Sequence, residues 1–239
     1  MKKLHTYWCF FMLVNSFLVL YPMMYICSLR KSWHIGIHYL DRIWSFLFFT
    51  LSFLPIEVEY RFRPQKGKTY IFCPNHSSYL DIPIMPYIIP AVFKYVGKSD
   101  VAKVPLFGAI FTRVHIGVDR GKLRSRYNAL QESANTLAEN ISLIIYPEGG
   151  FSSNPPQLLR FKDGAFRLAI EAQVPIVPVS LLTNYKVFPD KKPLTIHRQT
   201  IKIIVHEVIE TTGMEVSQIE VLRKKTEEII QKSLLANQN

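Results

Sequence analysis

Between Leu4 and Leu29 the chain carries no aspartate, glutamate, lysine or arginine. As a helix those 26 residues extend about 39 Å, more than the roughly 30 Å of a bilayer's hydrocarbon core, so the run is long enough to reach across. A second uncharged stretch, Ile43 to Ile56, has 14 residues, the length of an interfacial or re-entrant helix rather than of a span. Lys2, Lys3, Arg30 and Lys31 flank both ends of the first run, so the positive-inside rule assigns no orientation and a dip from one face suits the flanks. Tyr7, Trp8, Trp33 and Trp44 lie near the ends, where such rings favour bilayer interfaces over a buried helical hairpin. A cleaved signal peptide is the competing reading, but the apolar region is overlong and no small-residue cleavage site follows Leu29. These features predict a membrane-associated two-helix module over residues 1–59.

The chain has 239 residues, enough for one substantial further domain over residues 60–239. A formal charge of +11 together with 49% hydrophobic residues points to a lipid surface, and the scattered basic residues form no nucleic-acid motif. Cys9, Cys27 and Cys73 are odd in number and lack metal-ligand spacing, which predicts a reduced, cytosol-facing protein without disulfides or zinc. From Tyr60 onwards short apolar runs alternate with helical periodicity, the pattern of an α/β fold. Thr69–Cys73, Val92–Val96, Ser142–Tyr146, Ile176–Ser180 and Ile201–Val205 read as strands. Leu123, Tyr127, Leu130, Ala134 and Leu137 draw one apolar stripe along a helix over Arg124–Glu139, expected to be core packing. Ser217 and Glu220 are spaced as a capping box before a final helix whose buried side is Ile219, Leu222, Ile229, Ile230 and Leu234.

Sites in α/β sheets lie just past the C-terminal ends of strands, which directs attention to three segments. After the first strand comes Pro74-Asn75-His76-Ser77-Ser78-Tyr79-Leu80-Asp81. His76 and Asp81 would diverge by about 140° on a regular helix, so pairing them needs a turn, with Ser77 or Ser78 capping the next helix. In such a pair the carboxylate fixes the imidazole tautomer while the other nitrogen takes a proton from an alcohol. By spacing alone, a histidine with a structural role is the commoner case. After the third strand comes Pro147-Glu148-Gly149-Gly150-Phe151, where paired glycines allow close backbone approach and amides able to hold an anion or oxyanion, or form only a tight turn. Gly117-Val118-Asp119-Arg120-Gly121 offers Arg120 as a phosphate ligand. Cys73 is the one nucleophile near His76, and Gly-x-Ser-x-Gly is absent, which disfavours a thioesterase or lipase.

Together, over Phe72 to Leu181, these segments resemble the glycerolipid acyltransferase family, and within it the bacterial lysophosphatidate (1-acyl-sn-glycerol-3-phosphate) acyltransferases. Asn75 to Asp81 resembles the family's catalytic His-x4-Asp block, and Gly108 to Arg120 the block that contacts the acceptor phosphate. Tyr146-Pro147-Glu148-Gly149 resembles the third block and Val174 to Val179 the proline-bearing fourth. Lys98, in Gly-Lys-Ser-Asp with Asp100 where glutamate is usual, is similar to a segment that also faces the phosphate, and Lys162 lies in a segment similar to the family's Phe-Lys-x-Gly. The two apolar N-terminal runs match the family's two-helix module.

The resemblance implies a mixed, mostly parallel central sheet flanked by helices, with His76 and Asp81 catalytic and Lys98, Arg120, Glu148, Gly149, Gly150 and Lys162 binding substrate. It implies acyl transfer from acyl-CoA or acyl carrier protein to the sn-2 hydroxyl of lysophosphatidic acid, without metal or other cofactor, at a cell inner membrane with the catalytic domain facing the cytoplasm. Membrane lipids, the lysophospholipid and the acyl donor are the expected partners, with no nucleic acid. One departure bears on the acceptor: Gly150 and Phe151 stand where the family has Thr-Arg, and that arginine holds phosphate. Lys98, Arg120, Arg160 or Lys162 could supply the charge. Another lysolipid, such as a lyso-aminolipid, is the alternative acceptor, and a non-catalytic membrane adaptor the alternative outside enzymes.

Overall fold

In the computed structural model, which describes residues 2–238, the first apolar run forms α1 (Lys2–Ser28) and folds back onto α2 (His34–Leu51). The second helix therefore starts nine residues before the uncharged stretch, and it carries the buried Asp41 inside. Trp44 Nε1 donates to the carbonyl of Leu13 at 3.3 Å and locks the hairpin. By length and composition α1 alone among the described residues could cross a membrane. It lies along the rest of the molecule, from Thr6, whose hydroxyl donates to the Ile196 carbonyl, to Tyr25, under the Arg113 guanidinium. Outward it presents Leu4, Tyr7, Phe11, Val19 and Met23, continued on α2 by Tyr39, Ile43 and Phe46.

Seven strands follow: β1 (Ile56–Tyr60), β2 (Ile71–Pro74), β3 (Phe93–Lys98), β4 (Ile116–Val118), β5 (Ser142–Ile145), β6 (Ile176–Leu181) and β7 (Ile201–Val205). Their order across the sheet is β1-β7-β6-β2-β5-β3-β4, and only β6 and β7 pair antiparallel. The fold is thus the expected mixed, mostly parallel sheet flanked by helices. Strand β1 takes residues 56–59 into the sheet, ahead of position 60. The strands β2 to β6 share one direction, so the loops leaving them gather at one edge.

Alternation along each strand divides the core. Phe72 and Ile144 face α1, α2 and α3 (Asp81–Ile88), while Ile71, Cys73 and Leu143 face α5 (Leu123–Ala138), α6 (Gly164–Ala172) and α8 (Ile219–Ala236). Phe72 is fully buried, and its truncation to alanine would cost about 3–5 kcal/mol. The short helices α4 (Phe107–Val114) and α7 (Asn184–Val187) close the hairpin side and the site edge respectively.

Two local expectations are corrected. Leu123 and Tyr127 are 75% and 61% exposed at the start of the expected α5 stripe, while its remaining members Leu130, Ala134 and Leu137 do pack on the core, beside Ala129, Ser133 and Thr136. The capping box ahead of α8 pairs Glu215 with Gln218 rather than Ser217 with Glu220, so the chain turns in two residues earlier, through a 3-10 turn.

Candidate active site

His76 and Asp81 meet. The segment after β2 turns before α3 begins, and His76 Nδ1 donates to Asp81 Oδ2 at 2.8 Å. Ser78 Oγ accepts the amide of Leu80, the residue before α3, at 3.2 Å, and the Asp81 carboxylate closes the turn, accepting the amides of Ser77 at 2.9 Å and Ser78 at 3.1 Å. Its other oxygen accepts from Asn184 Nδ2, at the start of α7. Asp81 is fully buried, so each donor supports a charge that water does not reach. The imidazole is 15% exposed, and with Nδ1 committed, Nε2 is the nitrogen left to face a substrate. It stacks on Tyr146, ring centroids 4.0 Å apart, with Phe151 edge-on at 4.2 Å. Tyr146 in turn donates its hydroxyl to the Asp81 carbonyl at 2.9 Å.

Glu148 ties the second segment to the first. One carboxylate oxygen accepts the His76 amide at 2.7 Å and the other the Leu159 amide at 2.8 Å, while Ser152 N–H donates to the His76 carbonyl at 2.9 Å. Burial pushes the Glu148 carboxyl up to about 7, against the pull of those two amide donors. It is buried and braces the two loops against each other. Gly149 has φ +73°, and a Cβ there would lie 2.9 Å from Lys162 Nζ. Its own amide donates to the Tyr146 carbonyl at 3.1 Å. The amides of His76, Ser77, Ser78, Gly149 and Ser152 are therefore all committed, whereas those of Gly150 and Phe151 make no internal hydrogen bond among the described residues.

Tyr146, Pro147 and Gly149 open onto a cavity of about 370 Å³ on the α5 and α6 side of the sheet, with Val96, Val118 and Ile145 in its wall. Arg120 and Lys162 line it together, so two of the four candidate replacements for the family arginine share one space beside the loop that follows β5. Lys98 ends β3, but its ammonium is held by Asp100 at 2.6 Å and 62% of its side chain is in solvent, outside that wall. Arg160 lies in a separate groove. Cys73 is wholly buried in β2 and burial pushes its thiol up, which removes it as a nucleophile. In the sequence Tyr146 reads as the end of a strand and part of the third block, and Phe151 as a departure from the family pattern, neither of them in contact with His76. Asn184 was not singled out, and it lies 103 residues from the carboxylate it serves.

Residues 55–182 match the family described as acyltransferase. The chain is 26% identical over 205 residues to a 1-acyl-sn-glycerol-3-phosphate acyltransferase of Chlamydomonas reinhardtii, covering 84% of this chain and 61% of the relative. It is 30% identical over 187 residues to one of Limnanthes alba, covering 77% and 65%, and 29% identical over 174 residues to the human beta form, covering 71% and 61%. The chain spans about half to two thirds of the length of the curated relatives it matches. The crystal structure of the 1-acyl-sn-glycerophosphate (LPA) acyltransferase PlsC from Thermotoga maritima superposes with a TM-score of 0.81 at 23% identity, covering 98% of this chain and 95% of that one.

Proposed function

The chain belongs to the acyltransferase family, and from that premise we propose that it transfers a fatty acyl group from an acyl thioester to the sn-2 hydroxyl of lysophosphatidic acid, giving phosphatidic acid. The observation that carries the reading is the 2.8 Å contact from His76 Nδ1 to a fully buried Asp81. It fixes the tautomer and orientation of the ring and leaves Nε2 as the base. Nε2 takes the proton of the acceptor hydroxyl as its oxygen attacks the thioester carbonyl. A C–O bond forms, the tetrahedral adduct collapses with loss of the C–S bond, and the leaving thiolate takes the proton from His76, which frees the thiol and restores the base. Asp81 stabilises the imidazolium between those events, and the uncommitted amides of Gly150 and Phe151 meet the oxyanion. Arg120 and Lys162 hold the acceptor phosphate in the absence of the family arginine. The thioester, on coenzyme A or acyl carrier protein, is a co-substrate, and the chemistry draws on no metal or further cofactor.

In this reading the apolar outer face of the α1–α2 hairpin rests in a cell inner membrane, with the catalytic domain on the cytoplasmic side. Lysolipid reaches the site from that leaflet, and nucleic acid has no part.

Purified protein in detergent, offered acyl-CoA and acyl carrier protein thioesters against a panel of lysolipids, tests this. Phosphatidic acid from lysophosphatidic acid is expected, and His76→Ala should abolish it while leaving vesicle binding intact. Preference for a lyso-aminolipid would move the acceptor. No product with any pair would favour a membrane adaptor.

A further inference from the structure

The edge of the sheet opposite His76 holds a second cavity, of about 210 Å³, between α2 and the segments that lead into β2, β3 and β5. Arg42, Lys66 and Lys68 line it with His38 and Asn140, and no carboxylate stands in its wall. All three cations are exposed, and none forms an ion pair among the described residues. His38 is only 5% exposed and packs against the Phe93 ring at 5.1 Å. Neither of its ring nitrogens makes a hydrogen bond among the described residues, and Nδ1 is shut off from water as well. A buried polar group left without a partner costs stability, and three like charges around it repel one another. Nothing inside the molecule offsets either term; an anion in the cavity would offset both.

A neighbouring hollow of about 280 Å³ shares Ile35, His38, Val92 and Asn140 with this cavity and adds the half-buried Lys94. Its one carboxylate, Glu139, is held by Lys31 at 3.5 Å, so the imidazole has cations on both sides. A phosphate monoester carries about −1.5 to −2 charges near neutral pH and three acceptor oxygens, which matches several cations and an imidazole converging on a small space. A diester offers one charge and fewer free oxygens. The rim selects a lipid over a soluble phosphate: Ile35 and Tyr39 line the mouth, are half exposed, and continue through Ile43 and Phe46 along the apolar outer face of α2.

We propose that this cavity holds the headgroup of a phosphate-monoester lipid, with its acyl chains against the outer face of α2. It would take the same headgroup chemistry as the reaction's product at the other end of the sheet, and it stands without the acyl-transfer reading. The full chain in detergent, titrated with dihexanoyl phosphatidate, dihexanoyl phosphatidylglycerol or glycerol 3-phosphate and followed by native mass spectrometry, tests it. An Arg120→Gln, Lys162→Gln background removes the phosphate ligands proposed beside Tyr146. In that background one phosphatidate should bind at least about tenfold more tightly than the diester lipid or the tail-less monoester. Lys66→Gln with Lys68→Gln should weaken it at least about tenfold and move the diester by less than twofold. His38→Phe, which keeps a ring and removes its nitrogens, should weaken it several-fold. No phosphatidate bound in that background, or binding that the lysine pair leaves unmoved, overturns the proposal. So does an equal loss with both lipids, the mark of general attraction to an anionic surface. Glycerol 3-phosphate bound as tightly as phosphatidate would make this a site for a soluble phosphate and sink the lipid. Phosphatidate binding that the lysine pair abolishes, in a chain that turns over no acyl donor, keeps the cavity and sinks acyl transfer.

Discussion

Glu148 accepts the backbone amide of His76 at 2.7 Å, so the loop carrying that histidine is fastened through its main chain to the loop that follows β5. The imidazole is thereby positioned twice, through Asp81 at its ring and through Glu148 at its backbone. Only the first of these reaches a ring nitrogen.

Glu148→Gln should reveal the brace through pH. The Glu148 carboxyl is pushed by burial to about 7, above its ordinary value of 4.5, so the folded protein holds a proton there that the unfolded chain releases. That contribution is fully present below about pH 4.5 and is lost as pH rises through about 7. Glutamine does not titrate, and its amide nitrogen opposes one of the two amide donors at every pH. The variant should therefore be most destabilised relative to wild type at pH 5, with the gap shrinking by about 1–2 kcal/mol at pH 8, measured by urea unfolding. A gap that widens with pH would mean the carboxylate is held charged by its donors.

Asn184 serves Asp81 from across the sheet edge. Removing its amide leaves a fully buried carboxylate oxygen without one donor, a cost of about 1–3 kcal/mol. Asn184→Ala should lower kcat by about 10-fold or more with little change in KM for either substrate, because the loss is in stabilising the imidazolium. Asn184→Asp should be worse, since it places a second carboxylate against the first. A KM effect without a kcat effect would reassign Asn184 to substrate binding.

The pairing of His76 with Asp81 was legible because sequence places both residues in a loop leaving a strand, and the short distance along the chain lets a turn join them. Asn184 was not, since its partner lies 103 residues away and four-residue helices leave no periodic trace. Periodicity also overextended the buried side of α5: Leu130, Ala134 and Leu137 pack on the core, but the pattern does not tell which neighbours the first turns meet, and there Leu123 and Tyr127 meet solvent. The start of α2 was hidden by Asp41 and Arg42, charged residues that interrupt the apolar run although Asp41 is buried. Strand β4 has three residues with glycine in the middle, too few for alternation to register.

Gly149→Ala should separate backbone from side-chain effects at the third block. A left-handed φ of +73° costs a residue with a Cβ about 1–2 kcal/mol, and the new methyl would displace the Lys162 ammonium, 2.9 Å away. Because the end of a lysine moves readily, the steric part should be small and the stability loss should track the backbone. Calorimetry should give the same loss for Gly149→Ala in wild-type and Lys162→Ala backgrounds. A loss relieved by Lys162→Ala would assign the cost to contact instead.

Acceptor recognition gives the last prediction, because the structure divides the cations that could stand in for the missing arginine. Arg120 and Lys162 share the cavity beside Tyr146, whereas Lys98 is held by Asp100 at 2.6 Å outside it. A charge-assisted hydrogen bond to phosphate contributes about 1.5–3 kcal/mol, equivalent to roughly 10- to 150-fold in affinity. Arg120→Gln and Lys162→Gln should each raise KM for lysophosphatidic acid by at least about 10-fold, and should leave an acceptor without phosphate, such as a monoacylglycerol, unaffected. Lys98→Gln should change neither by more than about twofold, since it breaks only an exposed ion pair. Steady-state kinetics with the two acceptors decides the matter: a large loss at Lys98 with none at Lys162 would place the phosphate at the end of β3 and leave Gly149 and Lys162 as structural neighbours.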